Sequence, residues 1–238
     1  MLTCWLDKFH AQLQSRDDEL RTKVLIELNE DYHQADKINE SLKTQILIEL
    51  VKACKEKDDT IRELASRSIC CIANTAMGRQ ILVNNKILPH ISALFEDHVT
   101  KIRDNSYTCL INLAEFTFGV ESIIDTDILR ILVDNLVKEK EDVILILILK
   151  LLNMLLEGEM STDLILSTPV LQRLNGHLTS KNWEIRRLAA ENLGSISYNV
   201  MGKQATIEAT SIPPLCEMLS DDIFEVRASA LRALASLA

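Results

Sequence analysis

A branched or aliphatic residue followed by arginine returns along this chain at a nearly fixed beat: Leu20-Arg21, Ile61-Arg62, Ile102-Arg103, Ile185-Arg186 and Val226-Arg227. The arginines step by 41, 41, 83 and 41 residues. The long step reads as two periods with one weakened member, which falls at Val143-Ile144. Two further markers keep the same time. Gly78, Gly119 and Gly202 are separated by 41 and 83, and Leu94, Leu136, Leu178 and Leu219 by 42, 42 and 41. Self-similarity at such a period identifies a repeat array, in which no unit buries its apolar face alone and stacked neighbours make one continuous core.

Inside each unit the segment after the arginine marker carries apolar residues at i, i+4, i+8 and i+11, one stripe of an α-helix. The sets are Ile61, Ala65, Ile69 and Ile72; Ile102, Ser106, Leu110 and Leu113; Val143, Leu147, Leu151 and Met154; Ile185, Ala189, Leu193 and Ile196; and Val226, Ala230, Leu234 and Leu237. Asp58-Asp59, Asn182 and Asp221-Asp222 precede these stripes and suit N-caps, whose oxygens satisfy free backbone N–H groups. The glycine marker reads as the end of that helix and a sharp turn. A short helix follows, as over 203–209. A middle helix then opens, twice beside proline, at Ser167-Thr168-Pro169 and Ile212-Pro213-Pro214.

Three helices in about 41 residues is the armadillo pattern, where two would suggest HEAT. The expected fold is therefore all-α: an armadillo-type right-handed superhelical solenoid of about five to six three-helix repeats. It is read as one domain over 1–238, with approximate units 1–53, 54–94, 95–136, 137–178, 179–219 and an incomplete 220–238. Leu234-Ala235-Ser236-Leu237-Ala238 still lies on a long-helix stripe, so a longer natural chain is expected.

Composition narrows the function. The net charge is −9 and the pI about 5.1, which disfavours a phosphate-binding surface and any nucleic-acid role, and leaves proteins as partners. The six cysteines (Cys4, Cys54, Cys70, Cys71, Cys109, Cys216) form no C-x-x-C pair and sit mostly among apolar neighbours, as small buried hydrophobes in a reducing compartment. No signal peptide opens the chain, and the longest apolar run, from Val143 to Leu149, falls short of the roughly 18 residues of a membrane span. A soluble intracellular protein is expected. His10, His33, His90, His98 and His177 share no repeat register and read as surface residues. Phosphate-loop, dinucleotide, nucleophile-elbow and zinc-helix motifs are all missing. The reading is of a protein that is not an enzyme, with no catalytic or metal residues, no cofactor, no small-molecule substrate and no membrane.

In armadillo proteins of the importin and catenin types, an Asn on each long helix clamps an extended peptide, and importin-type repeats add a Trp one turn earlier. The corresponding positions here are Cys71, Asn112, Asn153, Ser195 and Ser236 for the Asn, and Arg67, Thr108, Leu149, Glu191 and Arg232 for the Trp. Neither Trp5 nor Trp183 stands there, so an import receptor is not expected. The candidate protein-binding groove comprises Arg67, Asn105, Thr108, Asn112, Ile146, Leu149, Asn153, Glu191, Ser195 and Arg232. Its centre is the run from Val143 to Leu149. If Val143, Leu147, Leu151 and Met154 fill the core, then Ile146 and Leu149 are surplus apolar surface for a partner segment. The plainer alternative is that neighbouring repeats simply cover this helix.

The chain also resembles one armadillo family in particular, the radial spoke protein 14 family of motile cilia. The likeness is carried by Leu13-Gln14-Ser15-Arg16-Asp17 with Arg21 and Lys23, by Asp58-Asp59-x-Ile61-Arg62, and by Met77-Gly78-Arg79. It is strongest in Ile185-Arg186-x-x-Ala189-Ala190-x-x-Leu193, Ile196-Ser197 with Gly202-Lys203, Ile212-Pro213-x-Leu215, and Leu219-Ser220-Asp221 with Glu225-Val226. The resemblance spans nearly the whole length in one register. It implies a non-catalytic structural subunit of the axonemal radial spoke, held among other spoke proteins in the cilium or flagellum. The other reading is a free armadillo adaptor in cytoplasm or nucleus that binds peptide segments.

Overall fold

The structure is a computed structural model that describes residues 9, 11–42, 45–156 and 162–238. Cys4, Trp5 and His10 lie outside the described residues. Among those described, the chain is helical throughout, with no strand. In chain order the helices are α1 (Asp18–Asp31), α2 (Ala35–Ser41), α3 (Ile46–Ala53), α4 (Asp59–Ala73), α5 (Ala76–Asn84) and α6 (Leu88–Ser92, extended by a 3-10 turn over Ala93–Glu96). Next come α7 (Thr100–Ala114), α8 (Thr117–Ile124), α9 (Ile128–Lys138), α10 (Asp142–Leu156), α11 (Thr162–Leu166) and α12 (Val170–His177). The last are α13 (Trp183–Ile196), α14 (Val200–Glu208), α15 (Ile212–Glu217, with a 3-10 turn over Met218–Ser220) and α16 (Phe224–Leu237). The order is the expected one of long, short and middle helices, and the fold is the all-α armadillo-type repeat fold. None of these helices is long and apolar enough to cross a membrane.

The chain forms two compact units, Met1–Ser122 and Ile123–Ala238. In the first, the long helices α1, α4 and α7 pack in sequence, and in the second α10, α13 and α16 do the same. The core follows the predicted stripe in four of the five sets at its leading positions: Ile61, Ala65, Ile69 and Ile72 are buried, as are Ile102, Ser106, Leu110 and Leu113, Ile185, Ala189, Leu193 and Ile196, and Val226 with Ala230.

The α10 set is displaced. Val143 is 62% exposed, whereas Ile144, Ile148, Leu152 and Leu155 are buried. The long helices begin at 59, 100, 142, 183 and 224, so the step into α10 is 42 residues and not 41. One extra residue enters between Gly119 and Leu136, and every position after it moves by one. The weakened marker is therefore Ile144-Leu145, with Leu145 in the place of arginine.

The arginine marker turns out to be a tie. Arg62 Nη1 donates to the carbonyls of Glu56 and Lys57 at 3.0 and 2.9 Å, which fastens the loop ahead of its own helix. Arg186 grips Ser180 and Lys181, and Arg227 grips Asp221 and Asp222, in the same way. The rest of the guanidinium reaches a carboxylate 35 residues on. Arg62 Nε and Nη2 bond Asp97 at 2.8 and 3.2 Å, and Arg186 bonds Asp221 at 2.7 and 3.0 Å, both as two-pronged forks. Arg21 reaches Glu56 at 2.8 Å. The carboxylate does a second job by accepting a backbone N–H at the start of the next long helix: Val99 for Asp97 and Ile223 for Asp221, each at 2.9 Å. Where Leu145 replaces the arginine, the residue 35 further on is Ser180, so donor and acceptor are lost together.

The glycine marker is not a turn residue. No described glycine has a positive φ. Gly78 and Gly202 sit in the first turn of the short helices α5 and α14, their N–H groups held by Thr75 Oγ1 and Asn199 Oδ1 at 3.0 and 2.8 Å. A Cβ there would run into the carbonyl oxygen of Ile72 or Ile196, at the end of the preceding long helix. Close approach of backbone to backbone is what demands glycine. The left-handed turns fall instead on Lys86 (φ 54°) and Thr210 (φ 57°), equivalent positions after α5 and α14. Each closes a Schellman motif: Ile87 N–H reaches Leu82 O at 3.1 Å, and Ser211 N–H reaches Thr206 O at 3.3 Å.

Candidate protein-binding face

The long helices of each unit expose one row of side chains, and the candidate residues divide between the two rows. In the first unit Arg67 stands exposed on α4. Asn105, on α7, donates Nδ2 to Ser66 Oγ at 2.9 Å and to the Glu63 carbonyl at 3.3 Å, which ties α7 to α4. Thr108 Oγ1 turns back to Asp104 on its own helix at 3.3 Å. Asn112 Nδ2 donates to Asn74 Oδ1 at 2.7 Å. The amides on this row are thus engaged with their own unit.

In the second unit the row is ionic. Glu184 takes Lys150 at 2.9 Å and Arg187 at 3.8 Å. Glu191 receives both of its oxygens' bonds from Arg187 Nη1, at 2.9 and 2.8 Å. It also accepts Ser229 Oγ at 2.9 Å and Arg232 Nη2 at 3.3 Å from α16. Five alternating charges therefore run across α10, α13 and α16, with the cations of Lys150 and Arg232 reaching water. Ser195 Oγ donates to Asn153 Oδ1 at 2.9 Å.

The shift of register corrects the centre of the candidate site. Leu149 is 0% exposed, and its carbonyl accepts Asn192 Nδ2 from α13 at 3.0 Å. It is core, equivalent to Tyr107 and Ala190, both fully buried. The row positions of α10 are Leu147, Lys150 and Met154, one residue beyond the predicted Ile146, Leu149 and Asn153. Ile146 is half-buried beside the row. Sequence spacing missed Lys150 and Met154 because the missing arginine removed the marker that sets the register there. The leucine marker did carry the signal, since its step from Leu94 to Leu136 is already 42.

The thiols behave as small apolar groups. Burial pushes Cys54 and Cys70 up to about 12 and raises Cys71 and Cys109 as well, so these four stay protonated at neutral pH. Among the described residues no cluster of His, Cys, Asp or Glu could hold a metal ion.

Comparison with known proteins agrees with this architecture. The HEAT-repeat family matches residues 212–238, the α15–α16 pair. A designed armadillo repeat protein in complex with the peptide (KR)4 is 20% identical, with a TM-score of 0.87 over 98% of this chain and 99% of that one. A computationally designed armadillo repeat protein for modular peptide recognition is 20% identical, with a TM-score of 0.88 over 98% of this chain and all of that one (100%). A third designed armadillo repeat protein gives 20%, 0.84, 98% and 100%. Likeness at this identity establishes the fold.

Proposed function

We propose that this protein is a non-catalytic scaffold that holds protein partners, and that its assembly is the radial spoke of the axoneme in motile cilia or flagella. The whole-length resemblance of its motifs to the radial spoke protein 14 family supports that assembly. One observation carries the scaffold reading over transient peptide capture: the row a peptide would occupy is already satisfied internally. Asn105 and Asn112 bond their own unit, and Glu191 is shared by Arg187, Ser229 and Arg232. A peptide laid on this row would have to break those bonds before making its own, and bonds so exchanged give little net affinity. A packed helical stack also transmits strain, which suits a mechanical linker.

The alternative is a soluble adaptor in cytoplasm or nucleus. It draws support from the shared fold with the designed protein that holds (KR)4. Detergent extraction of ciliated cells separates the two. A spoke subunit stays with the axoneme and leaves only at high salt, whereas an adaptor washes out with the soluble fraction. Release by detergent alone would defeat the axonemal reading.

A further inference from the structure

The connection between α11 and α12 carries a dipeptide that the scaffold reading does not use. The chain has four prolines. Three of them stand in Leu88-Pro89 and Ile212-Pro213-Pro214, where no hydroxyl precedes the ring. Only Thr168-Pro169 sets a hydroxyl residue directly ahead of proline. Pro89 and Pro213 open their middle helices, whereas Pro169 stands outside α12 as its N-cap.

This connection lies on the surface of the second unit. Ser167 and Pro169 are exposed and Thr168 is half-buried. Thr168 Oγ1 donates to the Ile165 carbonyl at 2.5 Å and Ser167 Oγ to the Leu164 carbonyl at 2.6 Å, both bonds local to α11 and its end. Since α11 has only five residues, little regular structure must yield for the segment to extend. Proline biases the residue before it toward extended backbone and brings no N–H that needs a partner. An enzyme that takes an extended segment and offers nothing to the next N–H therefore accepts Thr168. At any other hydroxyl residue it would bury an unpaired N–H.

Thr168 also faces a cleft of about 470 Å3, lined by Asp127, Arg130 and Asp134 from α9 and its start and by Leu164, Ser167 and Thr168 from the other side. Arg173 on α12 neutralises Asp134 at 2.9 Å. Arg130 is exposed and makes no hydrogen bond or ion pair among the described residues. Asp127 is the opposing charge, but its side chain is short, whereas a guanidinium is long and matches a phosphate with two parallel bonds.

We propose that Thr168 is a phosphorylation site for a proline-directed Ser/Thr kinase, and that Arg130 holds the phosphate across the cleft. The kinase transfers the γ-phosphoryl group of ATP to Thr168 Oγ1. The bond from the γ-phosphorus to the β–γ bridging oxygen breaks, the P–Oγ1 bond forms, the hydroxyl proton leaves and ADP departs. The donation to Ile165 ends, and a group of about −2 charge ties the α11–α12 connection to α9. The inference is independent of which assembly the protein serves, and a failure of the axonemal reading leaves it standing.

The test treats the full chain with a proline-directed kinase and ATP. Mass spectrometry should find one phosphate, on Thr168. Thr168→Val should accept none, whereas Thr168→Ser and Ser167→Ala should each accept one. No phosphate on the folded chain, or one that persists in Thr168→Val, overturns the site. Phosphorus NMR of the modified chain then tests the cleft. A free phosphothreonine loses its second proton near pH 6, and a guanidinium beside it holds that pKa lower. Arg130→Gln removes the cation and leaves Asp127, so the phosphate pKa should rise by about one unit. A pKa that does not move with Arg130→Gln overturns the pairing across the cleft.

Discussion

The α4–α7 junction in the first unit and the α10–α13 junction in the second solve one packing problem with opposite chemistry. In the first, Arg62 is clamped between Asp59 and Asp97, and Asn105 crosses to Ser66, so polar groups fix the register of the two helices. In the second, Leu145 and Ser180 replace the tie, and α10 buries Ile144, Leu145, Ile148, Leu149, Leu151, Leu152, Leu155 and Leu156 instead. Non-directional apolar burial holds that junction, helped by Asn192 bonded to the Leu149 carbonyl and by Asn182 bonded to Asp142 at 3.0 Å. A buried ion pair and a well-packed apolar contact can contribute similar net stability. What differs is how each fails when one residue is changed.

The largest effect is expected from Leu149→Glu. A carboxylate forced into this fully buried site loses its hydration, and the loss should be on the order of 3–5 kcal/mol. Circular dichroism should show loss of cooperative melting. The matched change at the exposed Leu231 should leave the spectrum and Tm nearly unaltered. If Leu149→Glu melts like the parent, the placement of α10 is wrong.

Arg62→Met comes next, because it strands Asp97, whose side chain is 9% exposed. Removing one partner of such a pair costs about 3 kcal/mol. Acid should discriminate further. Burial pushes the Asp97 carboxyl up, but the hydrogen bonds from Arg62 and Val99 N–H, with the guanidinium charge, outweigh it and hold the group below its ordinary value. Asp221 is lowered chiefly by its bond to Arg186. Groups with depressed folded-state pKa values contribute stability that is fully present above the unfolded value, about 3.9, and is lost as pH falls through the folded value. In Arg62→Met the guanidinium's bonds and charge are gone, and only the Val99 N–H bond and the neighbouring His98 still oppose burial, so the depression at Asp97 shrinks. Urea titrations should therefore show the gap between parent and variant widest at pH 7 and narrowing below about pH 4. A gap that stays constant with pH would mean Asp97 is not the stranded group.

Grafting the first chemistry onto the second junction is a finer probe. Leu145→Arg alone should destabilise by roughly 2–4 kcal/mol, as an unpaired charge enters an apolar site. Adding Ser180→Asp supplies the acceptor 35 residues on and should recover about 1–2 kcal/mol in a double-mutant cycle. Zero coupling would show that Leu145 does not occupy the arginine position.

These contrasts also mark what the sequence made legible. Periodicity exposed the repeat, the three-helix unit and the core stripes of α4, α7 and α13, because apolar residues at helical spacing have one place to go. It misplaced α10, where Leu and Ile fill almost every position and no stripe stands out from its neighbours. The arginine marker was visible, but not its role, since Asp97 and Asp221 lie 35 residues away and only packing brings them near. Residue type alone points the glycines to turns. The backbone contact with the Ile72 and Ile196 carbonyls that requires them leaves no local trace.

The smallest expected effect compares the two left-handed turns, Lys86 in the first unit and Thr210 in the second. Both close a Schellman motif at a position where glycine is the usual residue. A left-handed conformation costs an L-residue about 1–2 kcal/mol, and the penalty is sharper for a β-branched side chain such as threonine. Glycine removes that strain but adds backbone freedom to the unfolded chain, which returns roughly 0.5–1 kcal/mol of the gain. Thr210 also spends its hydroxyl on the Ala209 carbonyl at 2.7 Å, an exposed bond that contributes little. Thr210→Gly should therefore stabilise by about 0.5–1 kcal/mol, and Lys86→Gly by less, because lysine is unbranched at Cβ. Denaturant midpoints at matched slope would resolve the order. A loss on Thr210→Gly would mean that the threonine is not strained there, and that the left-handed turn is stabilised by contacts glycine cannot make.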